Sequence, residues 1–387
     1  MSKVLLSDVC EISSGQPAPQ KKEIFGDDGY PFIRAGSLEA LIDGNGRTER
    51  ILPQVGKELR LRLFPRNTIL FAKSGMSAKI GRVYKLEEPS YVVSHLAAII
   101  PHEDKIDPEW LKRWLEYNPP SRLIPNEAYP SIKLSEIAKL QLKLEAINRQ
   151  KEISGFLKNA DKLRQTHKEQ LVLLDNYLKS IFFNMFGDPV TNEKDWPIEE
   201  LKINAERICV AYVGPCNEFY TSSENGVPMI RTGNLKENRL DLSNLKYVTK
   251  EFHNKQKKSQ LQEGDLLIAR RGINGQAALV PRGIGVANAL NIVIIRPDRK
   301  KYDPLFLSFC FNSKSNLFSL GNRLSGSTQN VINTRAIQDH KLIRPYLYLQ
   351  NDFSGTVEKV EAIKQEMYES LTEMDNHFNA LTQKYFG

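Results

Sequence analysis

The chain has 387 residues and carries 54 Lys and Arg against 46 Asp and Glu, a net charge of +8 with a pI near 9.1. That length allows two or three domains, each with a core of its own. The 41% apolar content holds no run near the roughly 18 to 20 residues of a membrane span, and the four cysteines form no CxxC pair, which argues against a disulfide framework or zinc site. The first residues, MSKVLLSDVCEISSG, lack a signal peptide's apolar core and cleavage site, so a cytoplasmic location with reduced thiols is expected.

In chain order, "YPFIRAGSLE" (residues 30–39) opens with a strand and carries Arg34. Residues 55–85 hold eight Lys or Arg against the single acid Glu58, which reads either as a solvated basic face or as a surface for phosphates. "NTILFAKSG" (residues 67–75) and "HLAAIIP" (residues 95–101) are apolar runs bounded by turn residues, hence buried strands. The first leads into a polar loop, residues 72–82, with Lys73, Ser74, Lys79 and Arg82. "DPEWLKRWLEY" (residues 107–117) starts with Asp-Pro, a capping residue and then Pro in the first turn, and so predicts a helix. A second polar loop, "NEAYPSIK" (residues 126–133), presents Tyr129 and Lys133. A long helix is then predicted, stopped at Gly187 and Pro189 because Gly accepts the left-handed cap and Pro blocks continuation.

The rest of the chain repeats this order. Shifted by 200, residues 137–187 lie on 337–387 without a gap, with twelve of fifty-one positions identical where average composition gives about three. Shifted by 197, "YPFIRAGSLE" matches "VPMIRTGNLK", which carries Arg231, and "NTILFAKSG" matches "GDLLIARRG". The loop at residues 269–276 then presents Arg270, Arg271, Asn274 and Gln276, and the loop at 327–335 presents Gln329, Asn330 and Arg335. Arg, Asn and Gln are the side chains that pair with guanine and adenine edges, while Lys and Arg neutralise phosphates. The two copies of each loop differ, as readers of different bases would. The tails carry apolar residues at heptad spacing: Ile153, Ala160, Leu163, Leu171, Leu174, Leu178 and Ile181 in the first, and Phe353, Val360, Ile363, Met367, Leu371, Met374 and Leu381 in the second. That pattern predicts a coiled coil, and the order of parts makes it antiparallel. The fold class expected is α+β: two pseudo-symmetric α/β domains at residues 1–147 and 188–347, with helices at 148–187 and 348–387.

Catalytic motifs are not apparent. "NPPS" (residues 118–121) resembles the Asn-Pro-Pro-aromatic motif of amino-group DNA methyltransferases, but Ser121 stands in the aromatic place and the second copy reads "NSKS". There is no P-loop, no HExxH and no Glu-x-Lys to complete a nuclease set around Glu263 and Asp265. No catalytic residue and no metal ligand is expected.

The duplicated order of domain and helix, with "IRAGSL" and "IRTGNL", the strand–loop pair, Gln150 and Gln350 near the helix starts and the ending at Leu174–Asp188, resembles the specificity subunit of a type I restriction–modification system. "INRQKEI" and "YLQNDFS" keep the Gln but not the family's proline-rich Glu-Gln start. The resemblance implies a non-catalytic subunit whose two target recognition domains read a bipartite, asymmetric site on double-stranded DNA for phage defence. It implies two modification subunits docked on the helices, bringing S-adenosylmethionine and adenine methylation. Restriction subunits would bring ATP and Mg, and this chain would bind no cofactor. The rival expectations are a coiled-coil adaptor without DNA contact and a stand-alone DNA methyltransferase.

Overall fold

The computed structural model describes residues 2–44, 46–270, 276–317, 332 and 334–387. The chain forms two compact units, Met1–Lys168 with Glu369–Gly387, and Glu169–Tyr368.

In the first unit a four-stranded antiparallel sheet runs in the order Cys10–Ser14, Leu96–Pro101, Ile69–Ala72, Val83–Lys85. The second unit repeats it as Ala205–Val210, Ile292–Pro297, Leu266–Ala269, Ala277–Leu279. The central strands are apolar throughout because both faces are buried. Ile69 and Phe71 join one core and Leu70 and Ala72 another, and Leu266 and Ile268 separate from Leu267 and Ala269 in the same way, as period-two alternation requires. A smaller sheet follows in each unit: Arg50–Ile51, Tyr30–Ile33, Ser90–Val92, Leu63–Phe64 in the first, and Tyr220–Thr221, Lys246–Val248, Val227–Arg231, Asn288–Leu290 in the second. Each contains one parallel pair. A two-stranded pairing closes each unit, Ser2–Leu5 on Gln141–Leu144 and Ile198–Glu200 on Lys341–Ile343.

The Asp-Pro helices form as predicted. Asp107 Oδ1 accepts from Trp110 N at 2.8 Å over Pro108–Tyr117, and Asp303 Oδ1 accepts from Leu305 N and Phe306 N at 2.8 and 3.0 Å over Pro304–Asn312. The same aspartates anchor the long helices Ile147–Phe186 and Leu347–Phe386. Gln150 is wholly buried; its Oε1 accepts from Asp107 N at 2.8 Å and its Nε2 donates to Lys105 O and Glu145 O at 3.1 and 2.7 Å. Gln350 repeats this with Asp303 N, Lys301 O and Pro345 O at 2.9, 3.2 and 2.7 Å. Ser154 and Ser354 donate to the carboxylates of Asp107 and Asp303.

Each unit pairs the start of one long helix with the end of the other, antiparallel. In the first unit Arg149 faces Tyr385 while Arg164 Nε donates to Asp375 Oδ1 at 2.6 Å and lies 4.4 Å from the Phe378 ring. In the second, Lys364 Nζ donates to Asp175 Oδ1 at 2.7 Å and Phe353 packs on Phe182 and Phe186. The helix ending is repeated because each copy plugs one unit's core. Phe386 meets Trp110 edge-on at 5.4 Å and Phe186 meets Phe306 at 4.7 Å; Trp110 and Phe306 are equivalent positions 196 apart. Gly187 takes φ +73° at the stop, and Trp196 Nε1 donates to the last helical carbonyl, that of Phe186, at 3.0 Å.

Of the expected seam, Ile153, Leu171, Leu178, Phe353 and Val360 are buried, and Ala160, Leu174, Ile181, Met367, Leu371, Met374 and Leu381 are partly so. Leu163 and Ile363 are instead half exposed, at 50% and 49%. A 3.6-residue turn drifts about 20° per heptad from a strict seven-residue repeat, and the adjoining Arg164 and Lys364 take the inward place with their carboxylates.

Candidate nucleic-acid interface

The loops that sequence spacing singled out meet in both units, through the same backbone bond. Ile132 N donates to Lys73 O at 2.8 Å, and Ile332 N donates to Arg270 O at 3.2 Å. Lys73 and Arg270 each follow the central strand, and Ile132 and Ile332 are buried anchors. In the first unit Gly75 N also donates to Pro130 O at 3.0 Å, and Ser74 pairs with Ser131. Ser74 Oγ lies 2.9 Å from His95 Nδ1. The stretch expected as a loop at 72–82 contains a helical turn, Ser77–Ile80, ended by Gly81 at φ +69°. A Cβ there would sit 2.7 Å from Ser121 Oγ, so glycine is needed.

The paired loops of the first unit display Met76 at 70%, Ile80 at 56% and Tyr129 at 81% exposure, with Lys133 exposed beside them. Lys79 Nζ is 3.9 Å from the exposed Glu127. An aromatic ring and two apolar side chains held in the open among cations suit stacking on bases or wedging at a base step. Met76 and Ile80 were not among the residues expected; their apolarity alone carries no sign of exposure.

Other expected contacts are paired with groups of the protein itself. Arg82 holds Glu39 at 2.7 Å and Asp43 at 2.6 Å. The Arg82 hydrogen bond lowers the Asp43 carboxyl below its ordinary range, and the Asp43 hydrogen bond raises Arg82 in turn. Arg34 donates to Glu49 at 3.0 Å and lies 4.8 and 5.1 Å from the ring centres of Phe25 and Phe32. Arg270 donates Nε to Ile332 O at 3.0 Å and Nη1 to Asn291 Oδ1 at 2.9 Å, which ties the two loops of its unit together. The repeated "IRxG" is a turn lock: Arg34 N donates to Ser37 Oγ at 3.1 Å and Arg231 N to Asn234 Oδ1 at 3.0 Å. Of the eight bases at 55–85, five have a carboxylate within 4.0 Å: Arg62, Arg66, Lys79, Arg82 and Lys85. That run is therefore largely compensated. Arg335 is 90% exposed, 3.7 Å from Asp339, and Gln276 is partly buried. Arg271, Asn274, Gln329 and Asn330 lie outside the described residues.

Asn118 of the "NPPS" stretch donates Nδ2 to Trp114 O at 3.2 Å and Phe386 O at 3.3 Å. Its amide closes a helix end and holds the second long helix. Among the described residues, no cluster of His, Cys, Asp and Glu suits a metal and no helix is long and apolar enough to cross a membrane.

Two mixed α/β units, each pairing the same two loops over the same sheet and sharing two long helices, define a tandem, duplicated class of protein. A model of the family described as "Type I restriction modification DNA specificity domain" matches residues 1–174 and 216–384, and the chain belongs to that family. It is 23% identical over 241 residues to the type I restriction enzyme EcoBI specificity subunit of Escherichia coli, covering 60% of this chain and 47% of that subunit; the chain thus spans about half the length of that relative. It is 23% identical over 328 residues to the putative type I restriction enzyme MjaX specificity subunit of Methanocaldococcus jannaschii, covering 79% of this chain and 74% of the other. Its fold is similar to the S subunit of a type I restriction–modification system from M. genitalium, with TM-score 0.61, 12% identity and coverage of 100% and 96% of the two chains. A chain from a structure described as the basis of complex assembly and conformational transition of the type I restriction–modification system gives TM-score 0.60 at 14% identity and covers 100% and 97%.

Proposed function

We propose that the chain is a non-catalytic DNA-reading subunit of a type I restriction–modification assembly in the cytoplasm, each unit reading one half of a bipartite, asymmetric duplex site. The observation that carries this is the twice-built scaffold with one linking backbone bond in each unit, joined by loops whose sequences differ between the two copies. In the first unit Lys73, Lys79 and Lys133 contact phosphates and set register, while Tyr129 works at base level. In the second, Arg335 is open to a phosphate and Gln276 stands at the mouth of the loop. Arg34, Arg82 and Arg270 shape the loops from within. The long helices set the separation of the two half-sites and receive two modification subunits. S-adenosylmethionine belongs to those subunits, and Mg and ATP to a restriction subunit.

The test is the map of methylated adenines in cells with and without this gene. A two-part asymmetric motif that disappears with the gene is the expected result. An unchanged map would refute the proposal.

A further inference from the structure

The second unit has a basic surface that the sequence pattern did not single out. Its strand Lys246–Val248 leads into the helix Lys250–Lys255 and then the turn Lys257–Ser259. Lys246, Lys250, Lys255, Lys257 and Lys258 are all exposed, and the only acid in this stretch is Glu251. Among the described residues none of the five lysines has a carboxylate within 4.0 Å, whereas Arg62 of the first unit's counterpart stretch is bound to Glu11. The counterpart helix, Pro53–Glu58, lies 197 residues earlier, and of the five lysines only Lys257 faces a base there, Arg60. This is a charge feature of one unit, not of the shared fold.

The lysines ride on a fixed backbone. Thr249 Oγ1 caps the helix by accepting from Phe252 N at 3.2 Å, and Phe252 is buried edge-on against Tyr212 at 5.3 Å. The buried Ser259 Oγ accepts from Tyr212 N at 2.7 Å, and Gln260 Nε2 donates to His253 O at 2.9 Å. Both Arg207 and Cys209 donate to Lys258 O. Such burial beneath five uncompensated cations leaves the ammonium groups as the variable part, free to follow a ligand.

The platform also abuts the candidate reading loop. His253 contacts Asn288 on the strand Asn288–Leu290, and Asn291, the next residue, holds Arg270 at 2.9 Å. Three residues of extended chain span about 10 Å, on the order of the major groove's width of about 12 Å. Were Arg270 to lie at a groove, this platform would be within reach of the phosphates that flank it.

We infer that residues 246–258 form a phosphate-gripping surface for duplex DNA in the second unit, with Lys250, Lys255, Lys257 and Lys258 as its contacts. The inference rests on the DNA reading proposed above. It makes the second unit the main source of salt-dependent affinity.

The experiment is fluorescence anisotropy of the full chain with a duplex of arbitrary sequence, about three helical turns long, titrated between about 50 and 200 mM salt. The variant Lys250→Gln/Lys255→Gln/Lys257→Gln/Lys258→Gln is compared with wild type and with a control that loses the same charge elsewhere, Lys151→Gln/Lys158→Gln/Lys162→Gln/Lys168→Gln. Each lost phosphate contact makes the slope of log K against log salt shallower by about 0.9, so the first variant is expected to lose a slope of about 3 to 4 and the control less than about 1. Equal melting profiles show that the fold is retained. A wild-type slope in the first variant, or equal losses in both, overturns the inference and leaves the DNA reading standing. No duplex binding by wild type at the lowest salt removes the DNA reading itself.

Discussion

Replacing Gln150 by methionine keeps the volume at the root of the first long helix and removes every hydrogen bond the amide makes. Asp107 N, Lys105 O and Glu145 O lose their side-chain partner in a site with no solvent access at the amide. A buried donor or acceptor left without a partner costs about 1 to 3 kcal/mol, and partial rescue by neighbouring bonds brings the three together to about 3 kcal/mol. For a unit of this size, 1 kcal/mol moves the melting midpoint by about 2 to 4 °C, so Gln150→Met is expected to lower the first unit's transition by about 6 to 12 °C. Scanning calorimetry of the full chain reads this directly. Gln350→Met is expected to do the same to the second unit's transition, because its three bonds are equivalent. The two effects should add within about 0.5 kcal/mol, since distant sites behave independently. A shift below about 2 °C for either variant would show that these glutamines do not weld helix to domain.

Further outcomes follow from the helix pairs and the loops. Asp175→Ala leaves the buried Lys364 with Glu361 alone and is expected to destabilise the second unit by about 1 to 2 kcal/mol, whereas Lys364→Met leaves only exposed carboxylates and is expected to stay within about 1 kcal/mol of wild type; equal losses on calorimetry would contradict this. Burial works against the Lys364 charge, but Asp175 and Glu361 outweigh it and hold its pKa above 10.5. The stability that the Lys364 charge contributes is therefore fully present below that value and is lost as pH rises through the higher folded value; a loss between pH 7 and 9 would refute the assignment. Phe186→Ala removes a fully buried ring and is expected to cost about 3 to 5 kcal/mol in denaturant titration. Tyr129→Ala with Lys133→Ala is expected to weaken duplex binding without moving the melting point, because both side chains are exposed; a lowered melting point would make them structural.

Much of this architecture was legible because duplication is a signal that needs no partner. Twelve identities at one shift fix the repeat, and the Asp-Pro pairs and Gly187 fix helix limits through local backbone chemistry. Gln150 and Gln350 stood out as identities, but their bonds reach residues 43 to 49 positions away, which no local pattern reveals. The same distance hid the charge balance of residues 55–85: Glu11, Glu39 and Glu109 arrive from other elements. The lysines at 246–258 are diluted in the chain's overall positive charge, and what sets them apart is the lack, among the described residues, of a carboxylate within ion-pair distance. A seven-residue count puts Leu163 and Ile363 on the seam because it cannot see the drift of a straight helix.

The most direct test of the central claim is an exchange of residues 1–147 for the matching segment of a relative, followed by mapping of the methylated motif in cells. One unit reading one half-site predicts that one half of the motif changes while the other half and the spacing stay. A motif altered in both halves, or in neither, would contradict the account.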